Sequence, residues 1–196
     1  MIQDNAQKET AIEREIADRI DSTDMYIEET AAPQVFHSHS PEETYLLGKQ
    51  LGEQCRPGQV YTLTGDLGVG KTLFTQGFAA GLGISEPVNS PTFTILQMYD
   101  TGRLPFYHFD VYRIGDVEEM EEIGWEDYIY GQGVCMVEWA ELVEEILPKH
   151  RVHILIEKDL AQGFDYRRIT LDKKGSYALR DNSIVDAGID GKGKLT

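Results

Sequence analysis

Apolar residues recur along the middle of the chain at strand and helix spacings, and polar stretches flank that middle on both sides. Ser40-Pro41-Glu42-Glu43 opens the first clear helix, with serine as N-cap, proline in the first turn and a glutamate three residues after the cap. This helix runs to about Gln54 and stops before Arg56-Pro57-Gly58. Val60 to Thr64 reads as a short buried strand. Leu73, Phe74, Phe78 and Leu82 then follow at helical spacing, and Gly83 ends the helix. The runs TFTILQMY (92–99) and LPFYHF (104–109) predict two strands joined by the short connection DTGR, an antiparallel hairpin. DVEEMEEI (116–123) predicts a helix broken at Gly124. GVCMVEW (133–139) predicts an apolar strand ending in a carboxylate, and AELVEEILP a helix stopped by Pro148. VHILIEK and YRRITL predict two last strands around the turn DLAQGFD.

Strands interleaved with helices, together with hairpins, predict an α/β sandwich around a mixed, largely parallel sheet. The 196 residues suit one domain with tails. Its expected span is 34–180, between an N-terminal extension (1–33) and a polar, glycine-bearing tail (181–196). The extension carries nine acidic residues against three basic ones. Thr10-Ala11-Ile12-Glu13 has the form of a capping box, with Ile12, Ile16 and Ile20 on one helical face. Two readings stay open: a mobile acidic tail with some helix, or a segment that docks on the body or on a partner.

Charge and cysteine usage narrow the function. Eighteen basic residues against thirty-four acidic ones leave a formal net charge of −16. Proteins that hold nucleic acid directly need lysine and arginine to displace phosphate counterions, so extensive direct contact with nucleic acid is not expected. Cys55 and Cys135 lie far apart and form no CxxC pair, which predicts two buried thiols and fits a reducing cytoplasm. No apolar run approaches the ~18 residues of a membrane span, and the first ten residues do not resemble a secretion signal.

The chemistry concentrates at Gly65-Asp66-Leu67-Gly68-Val69-Gly70-Lys71-Thr72, which meets the pattern G-x-x-x-x-G-K-[ST] between a predicted strand and a predicted helix. Glycines let the backbone curl so that successive N–H groups converge on an anion, and the helix beginning at Lys71 adds the positive end of its dipole. Lys71 is placed to reach the β- and γ-phosphates of a nucleotide, and the Thr72 hydroxyl suits a Mg²⁺ ligand. Such a loop needs a carboxylate from a neighbouring strand end. Asp110 after PFYHF and Glu138 after VCMV are the two candidates. Asp110 could serve metal or water, or pair with nearby Arg113. His108 is expected to be packed or hydrogen-bonded rather than catalytic. No D-x-x-G switch or N/T-K-x-D guanine reader appears, and no arginine-rich lid separates the later strands. The nucleotide expected is therefore ATP.

Further blocks make the reading specific. GDLGVGKTLFTQGFAAGLGI, VNSPTFTILQMY, YHFDVYRI, EEIGWEDY and VCMVEWAE resemble, in order and spacing, the TsaE (formerly YjeE) family of bacterial P-loop ATPases, over about residues 40 to 172. The resemblance implies a P-loop NTPase sandwich and a slow ATPase of the cytoplasm. It would act with the TsaD and TsaB proteins in forming threonylcarbamoyladenosine at position 37 of tRNA, TsaD carrying the transfer chemistry. By motif position it implies nucleotide contacts from Gly65 through Thr72 and Leu73, with Ser40 near the base. It implies Mg²⁺ ligation by Thr72 and Glu138, and catalytic roles for Lys71, Asp110 and Glu138. A switch-like segment is implied at Ser90, Pro91, Thr92 and Phe93, with Trp139 beside the metal carboxylate. Ala140 departs from the proline usual after that tryptophan. Two other classes stay in view: a small-molecule kinase and a nucleotide-gated protein-binding module.

Overall fold

The computed structural model describes residues 32–174, and the expected extension helix and polar tail lie outside the described residues. Among the described residues seven strands form one sheet: β1 (Gln34–Ser38), β2 (Val60–Thr64), β3 (Leu96–Tyr99), β4 (Phe106–Asp110), β5 (Val134–Glu138), β6 (Arg151–Lys158) and β7 (Arg167–Lys174). Their order across the sheet is β1-β7-β6-β2-β5-β4-β3. The four central strands β6, β2, β5 and β4 are mutually parallel. The hairpins β3–β4 and β6–β7 and the edge pair β1–β7 are antiparallel.

The two-residue pleat sorts side chains onto two cores. Tyr61, Leu63, Phe106, Val134 and Met136 face α1 (Pro41–Gln54) and α2 (Lys71–Gly81). Val60, Phe109, Cys135 and Val137 face the other side. There they meet Met120 of α3 (Glu118–Glu122), Trp125 and Ile129 of α4 (Trp125–Ile129) and Val143 of a 3₁₀ segment (Ala140–Ile146). Phe74 and Phe78 of α2 are fully buried, each contributing about 1.5–3 kcal/mol over an exposed position. The two buried thiols are where charge is disfavoured: desolvation pushes Cys135 up to about 12 and Cys55 to about 11, the latter against the nearby Arg103 guanidinium.

Two helices touch through backbone. A Cβ on Gly48 of α1 would lie 2.2 Å from the Phe74 carbonyl oxygen, and one on Gly77 of α2 would lie 2.0 Å from that of Tyr45. Gly52 and Gly81 repeat the contact one turn further on. The α1 N-terminus follows the capping-box expectation with one change. Ser40 Oγ accepts from Glu43 N at 3.2 Å, while the Glu43 carboxylate reaches back to His39 N at 2.7 Å.

Three local expectations change. The strand expected from Thr92 begins only at Leu96. The Pro91 carbonyl accepts from the amides of Thr94 and Ile95, and Ile95 turns to φ 64°, so the first half of the run is a tight turn. The segment after Trp139 is 3₁₀ rather than α, with non-helical angles at Val143. A short helix, α4, restarts after the left-handed Gly124.

Candidate functional site

The carboxyl ends of the parallel strands open onto a cleft of about 420 Å³ lined by Leu67, Gly68, Gly70, Lys71, Thr72, Leu73, Ser90, Thr92, Asp110, Tyr112, Glu138 and Trp139. Such an edge is where parallel α/β sheets take ligands. Strand parity explains the convergence. Phe106, His108 and Asp110 share one face of β4; Val134, Met136 and Glu138 share the same face of β5; Asp110 is paired in register with Glu138. Both carboxylates therefore project toward α2.

The glycine loop between β2 and α2 is shaped by close approach. Gly65 has φ 139°, and a Cβ there would lie 2.2 Å from the Ile156 carbonyl oxygen. The N-cap of α2 is the left-handed Gly70, which brings no capping side chain, and the first-turn amides of a helix have no intrahelical partner. Beneath the loop, Val69 is buried, and its carbonyl accepts from Arg167 Nε at 2.6 Å, tying the loop to β7.

Lys71 is 5% exposed. Its ammonium donates to the carbonyls of Gly65 (2.6 Å) and Asp66 (3.0 Å). Burial pushes it below the usual lysine range, against the pull of Glu138, Glu141, Asp110 and Asp66. Thr72 Oγ1 lies 3.4 Å from Glu138 Oε2. The other carboxylate oxygen, Oε1, accepts from Thr75 Oγ1 at 3.2 Å and meets His108 Nε2 at 2.9 Å. A hydroxyl and a carboxylate oxygen beside an anion-binding loop are hard donors that fit Mg²⁺, which takes one or two protein ligands and completes its shell with phosphate and water. Among the described residues no group of three or more His, Cys, Asp or Glu could hold a metal by itself.

Asp110 is engaged otherwise. Its Oδ2 accepts from the hydroxyls of Ser90 and Thr92, the latter at 2.6 Å, and its Oδ1 from the Tyr112 amide at 3.1 Å. Arg113 carries its guanidinium over the Phe93 ring, 4.5 Å from the centroid. The Trp139 ring faces Lys71 on one side and packs against Tyr112 at 4.8 Å.

Residues 38–169 match the family model described as threonylcarbamoyl adenosine biosynthesis protein TsaE. The chain belongs to the TsaE family. The TsaE protein of Bacillus subtilis strain 168, named for tRNA threonylcarbamoyladenosine biosynthesis, is 53% identical over 137 residues, 70% of this chain and 84% of that protein. The TsaE protein of Treponema pallidum is 44% identical over 126 residues, 64% of this chain and 92% of that protein. The crystal structure of Bacillus subtilis YdiB superposes with a TM-score of 0.63 at 43% identity, covering 76% of this chain and 90% of that one. The fold is thus that of the TsaE/YdiB P-loop proteins, and the family is one of tRNA threonylcarbamoyladenosine biosynthesis. No helix among the described residues is long and apolar enough to cross a membrane.

Of the residues expected at a TsaE site, the cleft brings together Leu67, Gly68, Gly70 to Leu73, Ser90, Thr92, Asp110, Glu138 and Trp139. Gly65 and Asp66 meet the site through their carbonyls on Lys71. Ser40 lies outside the lining and caps α1. Pro91 is buried, and Phe93 is 83% exposed beneath Arg113. Thr75, His108 and Tyr112 are the additions. Parity offered the signal for His108, two residues from Asp110 on one strand face, and helical spacing did so for Thr75, one turn after Lys71.

Proposed function

We propose that this chain is a slow Mg²⁺-dependent ATPase of the cytoplasm that supports formation of threonylcarbamoyladenosine at tRNA position 37 together with TsaD and TsaB proteins. The observation that carries the reading is the meeting of Lys71, Thr72 and Glu138 at one end of a cleft whose floor is an uncapped helix start. In this reading the loop amides and Lys71 bind and orient the β- and γ-phosphates, leaving the Gly65 and Asp66 carbonyls on which Lys71 now rests. Thr72 and Glu138 hold the metal, which when bound supplies charge neutralisation of the phosphate oxygens. Asp110, through Ser90 and Thr92, links the far wall of the cleft to a segment that can respond to the γ-phosphate or position water. The low lysine and arginine content suits a protein that meets protein partners, with little direct tRNA contact.

The test is phosphate release from Mg·ATP by the purified chain, alone and with TsaD and TsaB. Slow release that rises with the partners is the expected result. Release indifferent to them would overturn the coupling and return the reading to a kinase or a binding module, and ADP formed without free phosphate when a small acceptor is added would favour the kinase. Modification that persists in a turnover-dead variant still able to bind ATP would favour a nucleotide-gated binding module.

A further inference from the structure

We infer that His108 and Thr75 are positioning residues that clamp one oxygen of Glu138 and so reserve the other for the cation. The inference rests on the reading of Glu138 as a metal ligand. Glu138 is 2% exposed, and its two oxygens are treated differently. Oε1 has two partners: His108 Nε2 at 2.9 Å and, at the longer distance of 3.2 Å, the Thr75 hydroxyl. Among the described residues Oε2 has only the Thr72 hydroxyl, at the long distance of 3.4 Å, weak as a hydrogen bond.

Donor chemistry sets the direction of the His108 contact. A carboxylate can only accept, so Nε2 carries the proton and donates. The ring is fully buried and cannot turn to seek another partner. It stacks on Phe106 at 6.1 Å with planes 16° apart, and among the described residues its buried Nδ1 has no hydrogen-bond partner. A buried ring nitrogen left unpaired is a cost, incurred here in an arrangement that aims the opposite nitrogen at Glu138. Thr75 holds its hydroxyl on the same side of Glu138, its one proton shared between Oε1 and the Lys71 carbonyl 3.1 Å away on the same helix. A rigid ring donor on β4 and a shared hydroxyl on α2 thus meet at one oxygen, the ring making the shorter bond. The carboxylate cannot rotate without breaking both bonds, and Oε2 stays beside Thr72. Partners outside the ligand set commonly change metal affinity by roughly 10–100-fold.

The experiment uses the full chain with ADP and reads Mn²⁺ retention from the signal of free Mn²⁺ in electron paramagnetic resonance. ADP affinity in EDTA is measured in parallel. Thr75→Val keeps the shape and removes the hydroxyl; His108→Leu removes the ring donor; His108→Gln returns an amide donor near Nε2. Thr75→Val and His108→Leu are expected to weaken Mn²⁺ retention roughly tenfold, with ADP affinity in EDTA unchanged, and His108→Gln to recover most of the loss. A role in packing alone would not produce recovery by glutamine. If His108→Leu does not fold, Thr75→Val decides. Unchanged Mn²⁺ retention in folded variants overturns the inference and leaves the metal reading standing. A wild-type chain that retains no Mn²⁺ with ADP overturns both.

Discussion

The Lys71 ammonium lies 3.5 Å from the centre of the Trp139 ring. The lysine begins α2 and the tryptophan follows β5 in a left-handed turn of φ 62°, so two elements that share no sequence meet across the mouth of the cleft. A cation over an indole face is attracted by about 0.5–2 kcal/mol, more as water is excluded. Anything that draws the ammonium toward a phosphate withdraws it from that ring.

Tryptophan emission should therefore report nucleotide. Titration with ADP or ATP is expected to change the fluorescence, and Trp139→Phe to abolish the change, since Trp125 is buried in the opposite core. Lys71→Ala is expected to weaken binding by roughly tenfold or more, as loss of a charge-assisted bond implies. Normal binding by that variant would remove the loop from the site.

Glu138→Gln separates binding from turnover. The amide keeps the volume and loses the charge that would hold a cation. Phosphate release is expected to fall by roughly 10²-fold or more, several kcal/mol being a usual metal contribution in the transition state. ATP affinity, measured by calorimetry, should move much less.

Asp110 latches the 90–95 turn through two hydroxyls. Asp110→Asn is expected to lower stability by about 1–3 kcal/mol and to speed amide exchange at Thr94 and Ile95, whose N–H groups are held by Pro91. Exchange unchanged at those two amides would mean that the turn holds without its latch.

Lys71 gives a pH dependence with a definite sign. Its folded-state pKa is depressed by burial, so the charged lysine is a liability to the fold below that value. The liability lessens as pH rises from the folded pKa toward the ordinary lysine value near 10.5. Lys71→Met is expected to melt at a higher temperature than wild type at neutral pH, with the gap narrowing as pH approaches 10.5. A gap that widens with pH would contradict the assignment.

Gly77→Ala tests the helix contact. The added methyl would meet the Tyr45 carbonyl at 2.0 Å. A cost of about 1–3 kcal/mol is expected from overpacking, read as a lower denaturant midpoint.

The site was legible where local rules and tertiary structure agree. Lys71 and Thr72 follow from a loop pattern between a strand and a helix, and Glu138 and Asp110 from carboxylates closing apolar runs. It was less legible where one residue type serves two ends. Thr92-Phe93-Thr94-Ile95 alternates as a strand does, yet Thr92 is committed to Asp110, and Ile95 takes an angle that β-branched residues rarely adopt. β1 is short, lies at the sheet edge and buries only Phe36 and Ser38, so its alternation is too brief to read. Parity and helical spacing put His108 and Thr75 on the site's faces, but their common target, Glu138, shows only once β4, β5 and α2 are placed side by side.

The glycine contact between α1 and α2 divides the molecule mechanically. With carbonyl oxygens already in the space a methyl would need, α2 has no slack toward α1, and the glycine loop inherits that stiffness along with its tie to Arg167. The opposite wall is held by hydroxyl bonds and one strained turn. The cleft therefore has one wall set by backbone contact and one set by side-chain bonds, and a protein that senses its occupancy is expected to read the rim of Ser90 to Ile95 and Trp139, not the helical back.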